Sequence, residues 1–272
     1  MRALVLSVPE DEVELAADRL WACGAQAVEE RMVDEAREIE LWTTLASDDA
    51  ISLDRLGELP AGWTARFESV DEAPSLAWRE FATPIFVGDD LVIRPAWLPA
   101  VDRVGWLEVA IEPAAAFGLG DHPTTFLSAA ACRRLVGPGD TVLDVGCGTG
   151  VLAIIAALCG GDTVVAVDVS EAAVEATAAN AARNGVADMI SVSASPIEHV
   201  DGEYDVVFAN ILAPVLVEMA ESLRRLTRPQ GRLVVSGILA NRHDHVLAAL
   251  EPMTVVSTAE SDGWVAVELR HP

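Results

Sequence analysis

Three short stretches carry residue types that could do chemistry together. Asp144-Val145-Gly146-Cys147-Gly148-Thr149-Gly150 joins an apolar run to a helical one, where glycines let the backbone approach a ligand and helix N–H groups face it. The spacing is G-x-G-x-G rather than the G-x-G-x-x-G pyrophosphate fingerprint, which argues against NAD or FAD and makes Gly146, Gly148 and Gly150 candidate cofactor positions. About 20 residues later, Val165-Ala166-Val167-Asp168 sets a carboxylate beyond the next apolar run, where it could accept both ribose hydroxyls of an adenosine. Taken alone, Asp168 could equally cap the helix that starts at Ser170. Further on, Asp205-Val206-Val207-Phe208-Ala209-Asn210-Ile211-Leu212 delivers Asn210 to the same edge, either to meet a substrate amine or to cap the following helix.

These stretches need a sheet to align them. From Thr141 onward, strand-type and helix-type segments alternate: strands at 141–145, 163–167, 190–194, 205–209 and 232–236, and helices at 151–159, 171–184, 214–226 and 241–250. Such alternation predicts a doubly wound α/β sheet with helices on both faces. Residues 254–258 and 264–269, joined by a tight turn at 260–263, predict a final hairpin whose last strand runs antiparallel. An antiparallel last strand on a seven-stranded parallel sheet is similar to the Rossmann-like methyltransferases that use S-adenosylmethionine. The first seventy residues read as β-α-β-β-α-β: strands at 3–8, 25–33, 39–45 and 64–70, and helices at 11–23 and 52–59. That order is ferredoxin-like. The boundaries expected are a small α+β domain over 1–67, a linker over 68–82 and the catalytic domain over 83–272.

A fourth stretch, Ala116-Phe117-Gly118-Leu119-Gly120-Asp121-His122-Pro123-Thr124-Thr125, precedes a helix expected over 126–135. Its glycines and hydroxyls suit a loop that closes over the methionine part of a cofactor, and His122 is either a base or a held loop element. The four cysteines show no C-x-x-C pairing and the five histidines are scattered, so no metal site and no disulfide framework is expected.

Composition narrows the partner. With 43 acidic and 18 basic residues the net charge is −25, and every basic residue is an arginine. Such a field repels phosphate backbones and attracts cationic partners, which disfavours nucleic acid and favours a basic protein; solubility alone could also account for it. Without lysine, the chain cannot modify its own side-chain amines. The N-terminal residues have none of the pattern of a signal peptide and no apolar run reaches the roughly 18 residues of a membrane span, so a soluble protein is expected; the unpaired cysteines suit a reduced cytoplasm, and a monomer is the expected state.

Four motifs together resemble a named family, the methyltransferases of large-subunit ribosomal protein L11 (PrmA). They are Phe117-Gly118-x-Gly120-x-His122-Pro123-Thr124-Thr125, Asp144-x-Gly146-Cys147-Gly148-x-Gly150, Ala209-Asn210-Ile211-Leu212-Ala213 and Ser236-Gly237-Ile238-Leu239. The resemblance implies S-adenosylmethionine as cofactor, with Phe117, Gly118, Thr125, Gly146, Gly148, Gly150, Asp168 and Asn210 around it. It also implies that the N-terminal domain holds the ribosomal protein, whose lysine or N-terminal amine is expected to meet the Asn210 amide oxygen and the Ile211 carbonyl as acceptors that aim its lone pair. Leu119 and Asp121 stand where the family usually has threonines, and Glu112-Pro113-Ala114 where it has Asp-Pro-Gly. Two other readings remain open from sequence: a methyltransferase for another protein lysine or a small molecule, and a cofactor-binding module without catalysis.

Overall fold

The computed structural model describes residues 2–9, 12–22, 28–32, 38–44, 59–69, 82–113 and 122–272. Two compact units divide the chain, Met1–Ala82 and Thr83–Pro272.

In the first unit, β1 (Arg2–Pro9) is followed by α1 (Val13–Ala22), β2 (Glu29–Met32), β3 (Glu38–Thr44) and β4 (Thr64–Ser69). The strands take the order β2-β3-β1-β4 with every neighbouring pair antiparallel, the ferredoxin-like arrangement. Strand alternation explains its two faces. Leu4, Leu6 and Val8 of β1 and Leu41 of β3 point to the side where Ala16 and Leu20 of α1, four residues apart, close a buried cluster. The other side is polar and aromatic: Trp42 lies 4.1 Å under the Arg31 guanidinium, and Arg66 bridges Glu40 and Glu68. The second helix expected here falls almost wholly outside the described residues, as do residues 70–81 of the expected linker.

The second unit opens with a small sheet of β5 (Ile85–Val87), β6 (Leu91–Pro95) and β7 (Leu107–Ile111), followed by α2 (Pro123–Leu135). Then come β8 (Thr141–Val145), α3 (Val151–Leu158), β9 (Thr163–Val167), α4 (Glu171–Arg183), β10 (Ile190–Ser193) and β11 (Tyr204–Asn210). The chain ends with α5 (Ala213–Glu218), α6 (Ala220–Leu226), β12 (Thr227–Leu239), α7 (Asp244–Ala249), β13 (Thr254–Ser261) and β14 (Trp264–Arg270). The large sheet has the order β10-β9-β8-β11-β12-β14-β13. Its first five strands are mutually parallel, and β14 inserts antiparallel to both β12 and β13. The seven-stranded doubly wound fold with an antiparallel last strand is therefore as the sequence predicts.

Alternation again builds the layers. Val142, Val206, Phe208 and Val234 face a core shared with α2, α3 and α4, whereas Leu143, Val207, Leu233 and Val235 face one shared with α5, α6 and α7. Several elements differ from the expected bounds, among them three in the last third of the chain. The helix expected over 214–226 is interrupted at Met219, whose ψ is 0°. The last helix is shortened because residues 240–242 form a 3-10 turn. Strand β12 begins at Thr227, because that residue pairs with Tyr204 ahead of the register shift in β11.

Candidate active site

The chain runs from β8 outward through β9 and β10, then returns to β11 on the other side, which opens a crevice at the C-terminal ends of β8 and β11. The sequence-predicted residues on these strands gather there. The turn from β8 into α3 carries Gly146, Gly148 and Gly150 at φ of 70°, 55° and 80°. Gly146 has a second constraint beyond its backbone angle: a Cβ there would collide with Cγ2 of Ile211. The turn is fixed to β9, since the N–H groups of Gly146 and Cys147 both donate to the Val167 carbonyl.

Helix α3 starts from Gly150, which has no side chain to cap it. Asp144 does so from inside the sheet, its Oδ2 accepting from the Ala153 N–H at 3.1 Å. Burial pushes this carboxyl up to about 7, the nearby Asp168 charge adds to the rise, and the Ala153 hydrogen bond opposes it. Burial likewise pushes the Cys147 thiol up to about 12, so it is not a nucleophile at neutral pH.

Asp168 Oδ1 accepts from the Ser170 N–H at 2.9 Å, the local turn ahead of α4, while Oδ2 accepts from the Gly148 N–H at 3.0 Å and so ties the carboxylate to the glycine turn. The carboxylate is half-buried, with further lone pairs to offer.

Asn210 ends β11 opposite Ser236. Its Oδ1 is buried and has no hydrogen-bond partner among the described residues, so it does not cap α5, whose N-terminus has no side-chain cap. Ile211 follows, its N–H donating to the Ser236 carbonyl at 3.1 Å.

The fourth predicted stretch is only partly described. Phe117, Gly118, Leu119, Gly120 and Asp121 lie outside the described residues, as does Ala114. The helix after them begins at Pro123 rather than at residue 126, because proline suits the first helical position and His122 caps the end, its Nδ1 accepting from the Thr124 N–H. Thr124 and Thr125 therefore sit in the first turn of α2, not in a loop. The His122 ring meets Trp264 edge-on, with centroids 5.0 Å apart, and Trp264 pairs with Leu239 at the C-terminal end of β12. Helix α2 packs on β11, β12 and β14 and thus starts at the same edge as Asn210. Thr125 Oγ1 is a second buried polar atom without a partner among the described residues, and Ser128 Oγ, one turn along the same helix, is a third.

Sequence reasoning missed the residues that hold this site from behind. Thr177 of α4 donates its hydroxyl to the Gly148 carbonyl at 3.0 Å. Asn180, fully buried, donates to the carbonyls of Thr149 and Glu112 and accepts from the Glu112 N–H, while Asn184 makes the same paired contact with Ala110. The legible signal was three polar residues on one stripe of a helix otherwise rich in alanine.

Three comparisons with known proteins bear on this geometry. The family profile described as "Ribosomal protein L11 methyltransferase (PrmA)" matches residues 40–272. The ribosomal protein L11 methyltransferase of Symbiobacterium thermophilum is 41% identical over 212 residues, covering 76% of this chain and 69% of that protein. That of Myxococcus xanthus is 35% identical over 289 residues, covering 98% of each. The crystal structure of the ribosomal protein L11 methylase from Lactobacillus delbrueckii subsp. bulgaricus matches with a TM-score of 0.65 at 29% identity, covering 70% of this chain and 99% of that one.

Proposed function

Because this chain belongs to the ribosomal protein L11 methyltransferase (PrmA) family, we propose that it transfers methyl groups from S-adenosylmethionine to lysine side-chain or N-terminal amines of ribosomal protein L11. The observation that carries the reading is the pair of buried oxygens without a partner among the described residues, Thr125 Oγ1 and Asn210 Oδ1, at the sheet edge that also holds the glycine turn and Asp168. A buried acceptor without a partner is costly unless a ligand supplies one. The cofactor fits what is present: the glycine turn sets its backbone at the crevice without side chains, and Asp168 retains acceptor capacity for ribose hydroxyls. Thr125, Gly146, Gly148, Gly150, Asp168 and Asn210 would hold it, with Phe117 and Gly118 added by family resemblance. When bound, the cofactor supplies a methyl group already activated by a sulfonium.

The protein must then supply a neutral amine in line with that methyl. A lysine with an ordinary pKa near 10.4 lies about 3.4 units from neutrality at pH 7, a cost of roughly 4.6 kcal/mol. Excluding water lowers that cost, because desolvation disfavours the ammonium. The Asn210 amide oxygen and the Ile211 carbonyl are the acceptors that aim the lone pair, so no dedicated base is needed. His122 is a helix cap in this scheme, since its Nδ1 is engaged with Thr124.

A basic ribosomal protein suits the net charge of −25, and the N-terminal unit is the part we assign to holding it. Among the described residues no helix is long and apolar enough to cross a membrane. The reading is of a monomer acting in the cytoplasm without direct contact to nucleic acid. Incubation with labelled S-adenosylmethionine and a ribosomal extract, followed by mass spectrometry, is expected to place label on L11. Label on no protein removes the proposal, and label on a different protein redirects it.

A further inference from the structure

Strand β12 changes register one residue beyond the partner of Asn210. Ser236 pairs with Asn210 on one side and Ala266 on the other, after which the ladder shifts, leaving Gly237 as a bulge residue at φ 86°. The bulge presses on Ile211. A Cβ on Gly237 would collide with the Ile211 carbonyl oxygen and would lie 2.7 Å from its carbonyl carbon and 3.1 Å from its nitrogen. Every atom in that set belongs to the main chain of the residue after Asn210, and none to a core side chain. The same stretch of β12 holds the other end of the residue, because Ser236 O accepts the Ile211 N–H at 3.1 Å and Ser236 Oγ is tied to the Val265 carbonyl at 2.9 Å. Ile211 is thus held at its N–H by a hydrogen bond, and its carbonyl occupies the space a side chain on Gly237 would need.

We infer that Gly237 is a positioning residue for methyl transfer: its missing side chain lets β12 seat the Ile211 carbonyl where it can accept from the substrate amine. The inference rests on the assignment of Asn210 and Ile211 to the amine. Accurate placement of an acceptor acts on the chemical step more than on cofactor binding, and that difference is measurable.

Gly237→Ala and Gly237→Asn separate backbone strain from close contact, since asparagine enters left-handed backbone more readily than alanine but carries the same Cβ. Each is compared with wild type for cofactor affinity by calorimetry, thermal midpoint, and kcat and KM with ribosomal protein L11. Both are expected to lose about tenfold or more in kcat per folded site, with cofactor Kd changed by less than about threefold. Gly237→Asn that is folded and turns over like wild type overturns the inference, as does a loss of kcat that only tracks the folded fraction. If neither variant folds, Ser236→Ala removes only the hydroxyl tether to Val265 and is expected to lower kcat by about threefold at unchanged cofactor affinity; wild-type kcat there also overturns it. Wild-type transfer to L11 is measured first. Its absence removes the functional reading, whereas wild-type transfer with an unaffected Gly237→Asn removes only the role of Gly237.

Discussion

The two ends of the large sheet use the same kinds of side chain to opposite effect. At the N-terminal end, Asp205 at the start of β11 accepts from the Thr141 N–H at 2.9 Å, the Thr141 hydroxyl at 2.8 Å and Arg228 at 2.5 Å and 2.6 Å. On β14 the buried Glu268 is held by Arg134, Arg232 and Ser257. At the C-terminal end, Thr125, Ser128 and Asn210 each keep a buried polar atom without a partner among the described residues, whereas the remaining such atom, Arg133 Nε, belongs to a guanidinium already paired with Asp90. A polar group satisfied by its own chain is structure; one left unsatisfied is an offer to a ligand. Residue type alone does not separate the ends, since a carboxylate, a threonine and a strand-end position occur at both.

Substitutions at the two ends should therefore fail differently. The largest effect is expected from Asn210→Ala: a loss of kcat on the order of 10²-fold or more, with a thermal midpoint close to wild type. Near-normal turnover at saturating cofactor would take Asn210 out of the mechanism. Asp144→Asn probes the ground between the ends, under the glycine turn. Its carboxyl is pushed up to about 7 from an ordinary value of 3.8, so its contribution to stability is full below the ordinary value and is lost as pH rises through 7. Denaturant titrations of Asp144→Asn are expected to gain on wild type by a few kcal/mol between pH 4 and pH 8; parallel curves would show the carboxyl to be ionised throughout.

Asp205→Ala should do the reverse of Asn210→Ala, costing about 1–2 kcal/mol of stability at neutral pH while leaving kcat per folded molecule unchanged. The hydrogen bonds from Thr141 and the Arg228 charge hold the Asp205 carboxyl below its ordinary value despite partial burial. The stability it adds is present above the ordinary carboxylate range and disappears as pH falls through its own lowered value, so the gap to the variant should close in acid. The smallest effect sharpens the comparison most. Ser128→Ala is expected to change stability by less than about 0.5 kcal/mol, because its hydroxyl has no partner to lose among the described residues. A tenfold weaker cofactor affinity in that variant would extend the site one helical turn beyond Thr125.

Much of this was legible in the sequence because strand and helix periods, glycine turns and terminal carboxylates are local. The doubly wound, mostly parallel character of the large sheet followed from alternation and its antiparallel last strand from the final tight turn, and Asp168 and Asn210 were visible as polar residues closing apolar runs. What stayed hidden is long-range. Asn180 reads as one more polar residue on an alanine-rich helix until Glu112, 68 residues away, is brought to it. Gly237 reads as a strand glycine until the Ile211 main chain is laid against it. The start of α2 was placed three residues late because a histidine cap ahead of a proline is a weaker signal than serine or aspartate.

The amides of Asn180 and Asn184 have a mechanical consequence. By pinning Ala110 of β7, Glu112 just past its end and, through Asn180, the Thr149 carbonyl of the glycine turn, helix α4 and its cap residue Asn184 act as a common spindle for two segments far apart in sequence. The backbone that leads into residues 114–121 and the turn we assign to the cofactor are fastened to adjacent rungs of one rod. Moving one segment relative to the other therefore requires breaking the hydrogen bonds that Asn180 makes to both.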